Sequence, residues 1–499
     1  MKTKRILALL MAMAMTAGVL GGCSSGDTGS TSGDSTSSDT SDNTSQTGEA
    51  PTVSWYTIGG DEPGNFAEAV QALSDYAEGK INVKLNLVLS NWNSYRDRFN
   101  TMINGGDNFD IMFTDSQTYS RYVHQGAFLD ITDKVQSVTP DMYKAIPENL
   151  WEGVKVGGKI YSVPTYKDSS LTQFWWYDKA YVDKYNLDVQ SVKTMDDLTE
   201  IFKTVKEGEG DDFYPVKLNQ GNPWNGFWND YDDLCTGMGG LLGVKLDDES
   251  RQVVSVLEQE DIMHNLNLLH EWYQAGYINP DANVSGENYT QCFFGNGQSW
   301  PSEATNQAKS QGVDEYIYVQ HGDTILTSST IQGSLNAISA NSANADAALQ
   351  LLQLANTDTE FRDMLRFGQK GVDWDYNDEG LVEQVEGQTW TTGPTNYAQA
   401  NYFILTRAID EAETKYDEIK SQNENAKESV CLGFTFDPTN VQTQIAACSA
   451  VWSQSAKADL LTGAVDPEER VPQLLEELNA AGLQEVIDEA QRQIDEYFA

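Results

Sequence analysis

Val53, Trp55 and Tyr56 give the stretch TVSWYTIG (52–59) the apolar pattern of a strand, which runs into Gly59-Gly60. NFAEAVQALSDYAEG then changes to helical spacing and is expected to close at Gly79. INVKLNLVLS (81–90) alternates strictly and predicts a second strand. SYRDRFNTMINGGD predicts a helix stopped by Gly105-Gly106, and FDIMFTD (109–115) a short buried strand. YSRYVHQGAFLDITD continues as a helix and a turn. Strand, helix, strand, helix, strand is the order of an open parallel α/β sheet. Such sheets hold ligands beyond the carboxyl ends of their strands. Residues 58–62, with Asp61, and residues 115–119, with Asp115, are therefore candidate contacts.

The first fifty residues follow neither period. Behind the basic cluster MKTKR, residues 6–20 are almost wholly Ile, Leu, Ala, Met and Val, the layout of an export signal. The run is shorter than the roughly twenty apolar residues that a membrane-spanning helix needs. Leu20, Gly21, Gly22 and Cys23 resemble the bacterial lipobox. That resemblance implies removal of a signal peptide at 1–22 and a diacylglycerol on the Cys23 thiol. Residues 24–50 are Ser, Thr, Gly, Asp and a few other polar residues, which cannot bury enough apolar surface to offset the entropy of ordering them. Residues 23–50 are thus expected to be a lipidated cysteine and a disordered tether.

Composition narrows the field. The chain beyond the tether is too long for a single core, so more than one domain is expected. A net charge of −43 disfavours nucleic acid and anionic lipid surfaces. No second apolar run is long enough to cross a bilayer. Cys235, Cys292, Cys431 and Cys448 are too sparse for a disulfide scaffold; Cys431 and Cys448 either pair or remain buried thiols.

From residue 157 onward the order of motifs carries a family resemblance. GKIYSVP and then FWWYDKAYVDKYNLD supply Lys159, Tyr161, Pro164, Tyr177 and Lys179. MHNLNLLHEWYQAGYINPDA (263–282), NADAALQLLQLANTDTEFRDMLRFG (344–368) and the helices of 433–498 come after them. Together they resemble the extracellular solute-binding proteins of bacterial ABC importers, in the sugar-binding branch that includes maltose-binding protein. The closing helices are similar to those of an oligosaccharide- or aldouronate-binding lipoprotein subgroup. The resemblance implies an α/β, two-lobed periplasmic-binding-protein type II fold, with hinge strands and a central ligand cleft. It implies one lobe from 51–167 plus 328–375 and a second from 168–327 plus 431–499, with 376–430 an insertion assigned to neither. The chain is expected to cross between lobes near 164–172 and 326–338. Expected partners are an oligosaccharide and the importer's membrane subunits, with membrane contact only through the lipid anchor. A monomer without cofactor or metal is expected.

Motifs for other chemistry fail on inspection. GVKVGGKI (153–160) has the glycine and lysine spacing of a P-loop, but Ile160 stands where Ser or Thr should hold magnesium, so a hairpin turning at Gly157-Gly158 is expected. GMGGLL (237–242) lacks the dinucleotide-loop glycine spacing. The four histidines form no metal motif, and no G-x-S-x-G elbow occurs. Asp375, Asn377, Glu379, Gly380, Val382 and Glu386 fall near the spacing of a calcium loop, but Gly368 and Gly371 break the helix that should precede it. A hairpin turning at Asp378-Glu379-Gly380, with Val382 and Val385 facing the protein, is the expectation.

Aromatics are the stronger signal. NPWNGFWNDYDD (222–233) spaces Trp224, Phe227, Trp228 and Tyr231 as on one helix face and interleaves them with Asn222, Asn225 and Asn229. Sugars present apolar C–H faces and hydroxyl rims, which flat rings and amides complement. Trp224, Asn225 and Trp228 are therefore candidate ligand contacts, and a buried core stripe is the competing reading. Trp300, before Pro301, joins them at an extended turn. The resemblance adds Tyr166 and Lys167 after the crossing proline, and Phe434 and Asp437 at the start of a late cleft-facing helix. An acidic sugar would want a cation, for which Lys167 is the candidate. Two other classes stay open: a surface carbohydrate-active enzyme, which needs two carboxylates at a defined separation, and a binding protein for a peptide or other polar solute.

Overall fold

Two sheets, each under its own apolar core, organise a computed structural model that describes residues 49–390 and 393–499. The expected signal peptide, Cys23 and all but the end of the tether lie outside the described residues.

The first sheet begins with β1 (Thr52–Gly59), crosses through α1 (Phe66–Ile81) to β2 (Lys84–Asn91), and returns through α2 (Tyr95–Gly105) to β3 (Ile111–Thr114). β1 pairs in parallel with both neighbours, as the alternating pattern predicts, and its register sets Gly59 beside Asn91. Short α3 (Tyr119–His124) follows, and then β4 (Ser162–Pro164). The chain next enters the second sheet as β5 (Leu171–Asp178), which takes β6 (Phe294–Gln298) and β7 (Tyr316–Leu326) as antiparallel partners. From β7 it returns to the first sheet as β8 (Leu335–Ile338), between β3 and β4. α4 (Thr359–Phe367) and a long irregular stretch stay with the first core, where Trp374, Val382, Ala398 and Leu405 are buried. α5 (Lys415–Glu424) and β9 (Lys427–Glu428), which pairs with β7, make a third passage. Beyond it, Cys431, Phe434 and α6 (Gln442–Ser455) lead into the second core with Trp175, Phe202 and Trp272.

Several local expectations need correction. α1 runs through Gly79 to Ile81 and ends on Asn82, whose φ of 55° supplies the left-handed cap. A Cβ at position 79 would meet nothing within 4 Å, so the helix passes it at only the usual glycine cost. The aromatic stretch 222–230 is not helical. Gly226 at φ 88° breaks the turn, and the Trp224 amide donates to Leu461 O (2.9 Å) in place of a carbonyl one turn back. Regular structure resumes only at the strand Tyr231–Asp233.

The hairpins form where expected. Lys155–Val156 pairs with Lys159–Ile160 across Gly157 and Gly158, both at positive φ. Trp374–Tyr376 pairs with Val382–Gln384. Val382 is buried, whereas Val385 lies beyond the pairing and is 44% exposed, so only one of the two valines faces the protein. The four described cysteines are free thiols, so Cys431 and Cys448 do not pair. No helix among the described residues is long and apolar enough to cross a membrane.

Candidate functional site

The carboxyl ends of β1 and β2 lie side by side, and the chain beyond each turns into one wall. Asn91 donates from Nδ2 to Asp61 Oδ1 (3.3 Å). Trp92 comes immediately after and is 39% exposed, a large ring left in solvent at a strand end. It stands edge-on to Tyr95 (5.9 Å) and tilted by 38° against Tyr397 at 5.7 Å. At the end of β3, Asp115 Oδ2 accepts from the Tyr95 hydroxyl (2.5 Å) and from Arg96 Nη2 (2.6 Å), while Oδ1 accepts from Thr118 Oγ1 (3.0 Å). Burial, and then Asp115, push the Tyr95 hydroxyl far above its ordinary pKa. Burial opposes the charge on Arg96, but Asp115 more than offsets it and raises the guanidinium pKa. Asp115 is thus committed to Tyr95, Arg96 and Thr118 and braces the wall.

Tyr397 arrives from a distant segment. Thr395 N donates to Ile58 O (2.9 Å), and Gly59 bridges Pro394, so the loop lies along the end of β1. Gly59 is required there: a Cβ would stand 2.4 Å from Gly393 O. The first passage completes this side. Tyr166 packs on Phe403 at 4.5 Å and its carbonyl accepts from Tyr402 N (2.7 Å). Lys167 Nζ lies 5.6 Å from the Tyr397 ring centre and pairs with Asp168 (3.0 Å), so its charge is already matched.

A cavity of about 580 Å³ opens between the lobes, with Ser116 and Arg121 on one side, Phe434 and Gln442 on the other, and Ser328 of the second passage behind. A neighbouring cavity of about 400 Å³ shares Asp233 and Ser329 with it and reaches Asn225 and Trp228. The lobes touch along the larger one. Ser120 Oγ donates to Phe436 O (2.6 Å), and His124 Nε2 meets Asp437 Oδ2 at 3.2 Å. Burial pushes the Asp232 carboxyl up to about 6. Burial, and to a smaller extent Asp232, push Asp233 up to about 7.

The structure therefore gathers Asp61, Asp115 and Lys167 around Trp92 and Tyr397, buries Tyr166 against Phe403 next to Lys167, sets Phe434 on the interlobe cavity, and pairs Asp437 with His124 across the lobes. Of the other four candidates, Trp224, Asn225 and Trp228 meet at the smaller cavity and Trp300 stands apart. Trp224 is 4% exposed, stacked on Phe294 (5.5 Å, 16°) and packed against Trp272 in the second core, although the smaller cavity reaches its edge. Asn225 is exposed, and its carbonyl accepts from Asn296. Trp228 is half-buried against Trp452. Trp300 lines neither cavity and lies under Lys415, 5.6 Å from its ring centre. Sequence reasoning missed Trp92 and Tyr397. For Trp92 a signal existed: SNWNSY interleaves an aromatic with Asn91 and Asn93 just past an alternating strand.

Two exposed or half-exposed rings edged by amides and carboxylates suit a polyhydroxylated ligand, whose C–H faces stack and whose hydroxyls both donate and accept.

Comparison with known proteins gives the same direction. The sequence profile of the bacterial extracellular solute-binding proteins matches residues 59–360, and a domain of unknown function matches residues 430–499. A carbohydrate ABC transporter substrate-binding protein of Streptococcus pneumoniae is 28% identical over 460 residues, covering 90% of this chain and 92% of the relative. The solved N-glycan transport solute binding protein of S. pneumoniae superposes with a TM-score of 0.78 at 27% identity, covering 90% of this chain and 99% of that one. Its complex with Man5GlcNAc superposes at 0.70, with 90% and 98% covered. An extracellular solute-binding protein of Bifidobacterium longum subsp. infantis, at 19% identity, shares the fold with a TM-score of 0.61 over 91% of this chain and 100% of that one.

Proposed function

This chain belongs to the bacterial extracellular solute-binding proteins, and we propose that it captures an oligosaccharide for an ABC importer in the cleft between its two lobes. The observation that carries the reading is the Trp92–Tyr397 pair, held at the carboxyl ends of the first sheet beside Asp61 and Asn91. A sugar ring would lay its C–H face on the aromatics and bond its hydroxyls to the Asn91 amide and the Asp61 carboxylate. The pneumococcal relative has been solved with Man1GlcNAc and with Man5GlcNAc. We take the ligand here to be of that class, mannose- and N-acetylglucosamine-containing oligosaccharides. Closure about the three passages would bring Asp233 and Phe434 toward the bound sugar, and the importer's membrane subunits would recognise the closed form. The protein acts outside the cell as a monomer, moored by a lipid on Cys23, and performs no chemistry on its ligand.

Calorimetric titration with Man5GlcNAc tests the reading. Saturable binding that Trp92→Ala weakens, with the sugar recovered intact, supports it. No binding across a panel of neutral oligosaccharides overturns it, and hydrolysis of the sugar would move the protein to the enzyme class.

A further inference from the structure

Arg362, on α4, is fully buried, yet among the described residues it forms no ion pair. Its neighbour Asp363 is engaged elsewhere, accepting from the Tyr376 hydroxyl (2.8 Å) and from Thr406 N (2.9 Å). A buried guanidinium without a countercharge is costly unless its donors are satisfied. Here the donors are satisfied by one short segment. Nε donates to Asn401 O (3.0 Å), Nη1 to Gln399 Oε1 (2.6 Å), and Nη2 to both Asn396 O (2.9 Å) and Asn396 Oδ1 (2.6 Å). These acceptors flank Tyr397 on both sides.

The segment has only a three-residue turn of regular structure, Asn396–Ala398, to fix its shape. Further anchors come from the second passage and β8, where Ser334 Oγ donates to Tyr397 O (2.7 Å) and Asn336 Nδ2 donates to Ala398 O (3.1 Å) and Gln399 O (2.9 Å), from Leu365 O, which accepts from Gln399 Nε2 (3.1 Å), and from Asn356 Oδ1, which accepts from Asn401 N (3.0 Å). Those anchors fix the middle of the segment and its far end. Arg362 spans it from Asn396 to Asn401 and is the side chain that holds the Asn396 end, and a planar fork does so with a directionality that an ammonium lacks. The side chain so presented is the Tyr397 ring, beside Trp92 and beneath Lys167.

We propose that Arg362 is a positioning residue of the ligand cleft, holding residues 396–401 so that Tyr397 completes the aromatic wall with Trp92. The inference rests on the reading of that wall as the oligosaccharide site. Arg362 touches no ligand; its whole contribution to affinity passes through Tyr397.

A double-mutant cycle in the intact protein, titrated with Man5GlcNAc, tests this. Arg362→Lys keeps the charge and loses the fork, and should weaken binding about tenfold. In a Tyr397→Ala background the same change should weaken it no further. 3-Fluorotyrosine incorporated at Tyr397 should give one sharp fluorine resonance in the otherwise native chain and a broadened or divided one with Arg362→Lys, a signature that a general loss of stability would not produce. If Arg362→Lys does not fold, Asn396→Ala removes one acceptor at lower cost and should show the same coupling. Additive losses of affinity, or native affinity with a disturbed Tyr397 resonance, overturn the proposal while leaving the cleft reading intact. Native affinity in Trp92→Ala overturns the cleft reading and this inference with it.

Discussion

Trp92 and Tyr397 stand with ring centroids 5.7 Å apart and planes inclined at 38°, although one follows the second strand of the first sheet and the other sits in a three-residue turn far along the chain. Between them they make an aromatic surface that neither segment could make alone. Trp92→Ala should weaken oligosaccharide binding by roughly 1–3 kcal/mol, the range for losing a desolvated aromatic contact. Because Trp92 is 39% exposed, the melting temperature should hardly move. Titration and melting of the one variant read both quantities.

Trp224 should behave in the opposite way. Its ring is stacked on Phe294 and closed in by Trp272, so Trp224→Ala opens a cavity in the second core and should cost roughly 3–5 kcal/mol of stability. Affinity measured on the remaining folded protein should stay near native. A stable Trp224→Ala variant with lost affinity would return this residue to the ligand surface.

The contrast between the two tryptophans shows what the sequence carries. Strands with period two were legible, because alternation is a local property, and so was the stop at Gly106, whose φ of 70° ends α2 where the pattern ends it; the stop at Gly79 was not, since α1 runs on to a left-handed cap at Asn82. The spacing of Trp224, Phe227 and Trp228 looked helical, but Gly226 and the bond to Leu461 O make it a loop whose larger ring fills a core. Periodicity reports which residues are apolar together, not which backbone carries them. Where Asp61, Asp115 and Lys167 lie in the fold was legible because strand ends and the crossing proline mark places in the chain. Tyr397 was not, since its position depends on Arg362, Ser334 and Asn336, which no spacing connects to it.

Two adjacent carboxyls at the interlobe cavity, Asp232 buried and Asp233 half-buried, predict a pH dependence of stability. Asp232 and Asp233 are raised from 3.8 to about 6 and about 7. The folded protein therefore holds more protons on them than the unfolded chain does across that interval, and unfolding releases protons. Their contribution to stability is complete below about pH 4 and is lost as pH rises through 6 and 7. Asp233→Asn keeps an acceptor for the Cys235 amide and removes one titration. The gain in melting temperature of this variant over the native protein should grow between pH 5 and pH 8. A gain that is flat across that range would show that Asp233 titrates normally.

The mooring is tested separately. Cys23→Ser should leave the exported protein without lipid and should release it from the membrane fraction. Membrane partitioning that survives the substitution would count against the lipobox.

Closure depends on how firmly the passages are held. Asn423 on α5 clamps the first of them from both sides: its Nδ2 donates to Lys167 O, and its Oδ1 accepts from Ser170 N (3.0 Å) and Ser170 Oγ (2.9 Å). The same helix grips the second lobe, where Gln422 Nε2 donates to Ser299 O (3.1 Å) and Glu418 accepts from Ser302 N (2.8 Å). α5 also packs Tyr416 on Tyr402 (5.2 Å) at the first core, so it ties the first passage to both lobes. Saturating Man5GlcNAc should reduce the radius of gyration measured by small-angle X-ray scattering. Asn423→Ala leaves the Ser170 amide unpaired, at about 1–3 kcal/mol, and loosens the clamp. That variant should scatter as a broader distribution without ligand and reach the same compact form with it. An unchanged radius of gyration in the native protein at full saturation would rule out closure as the step that signals capture.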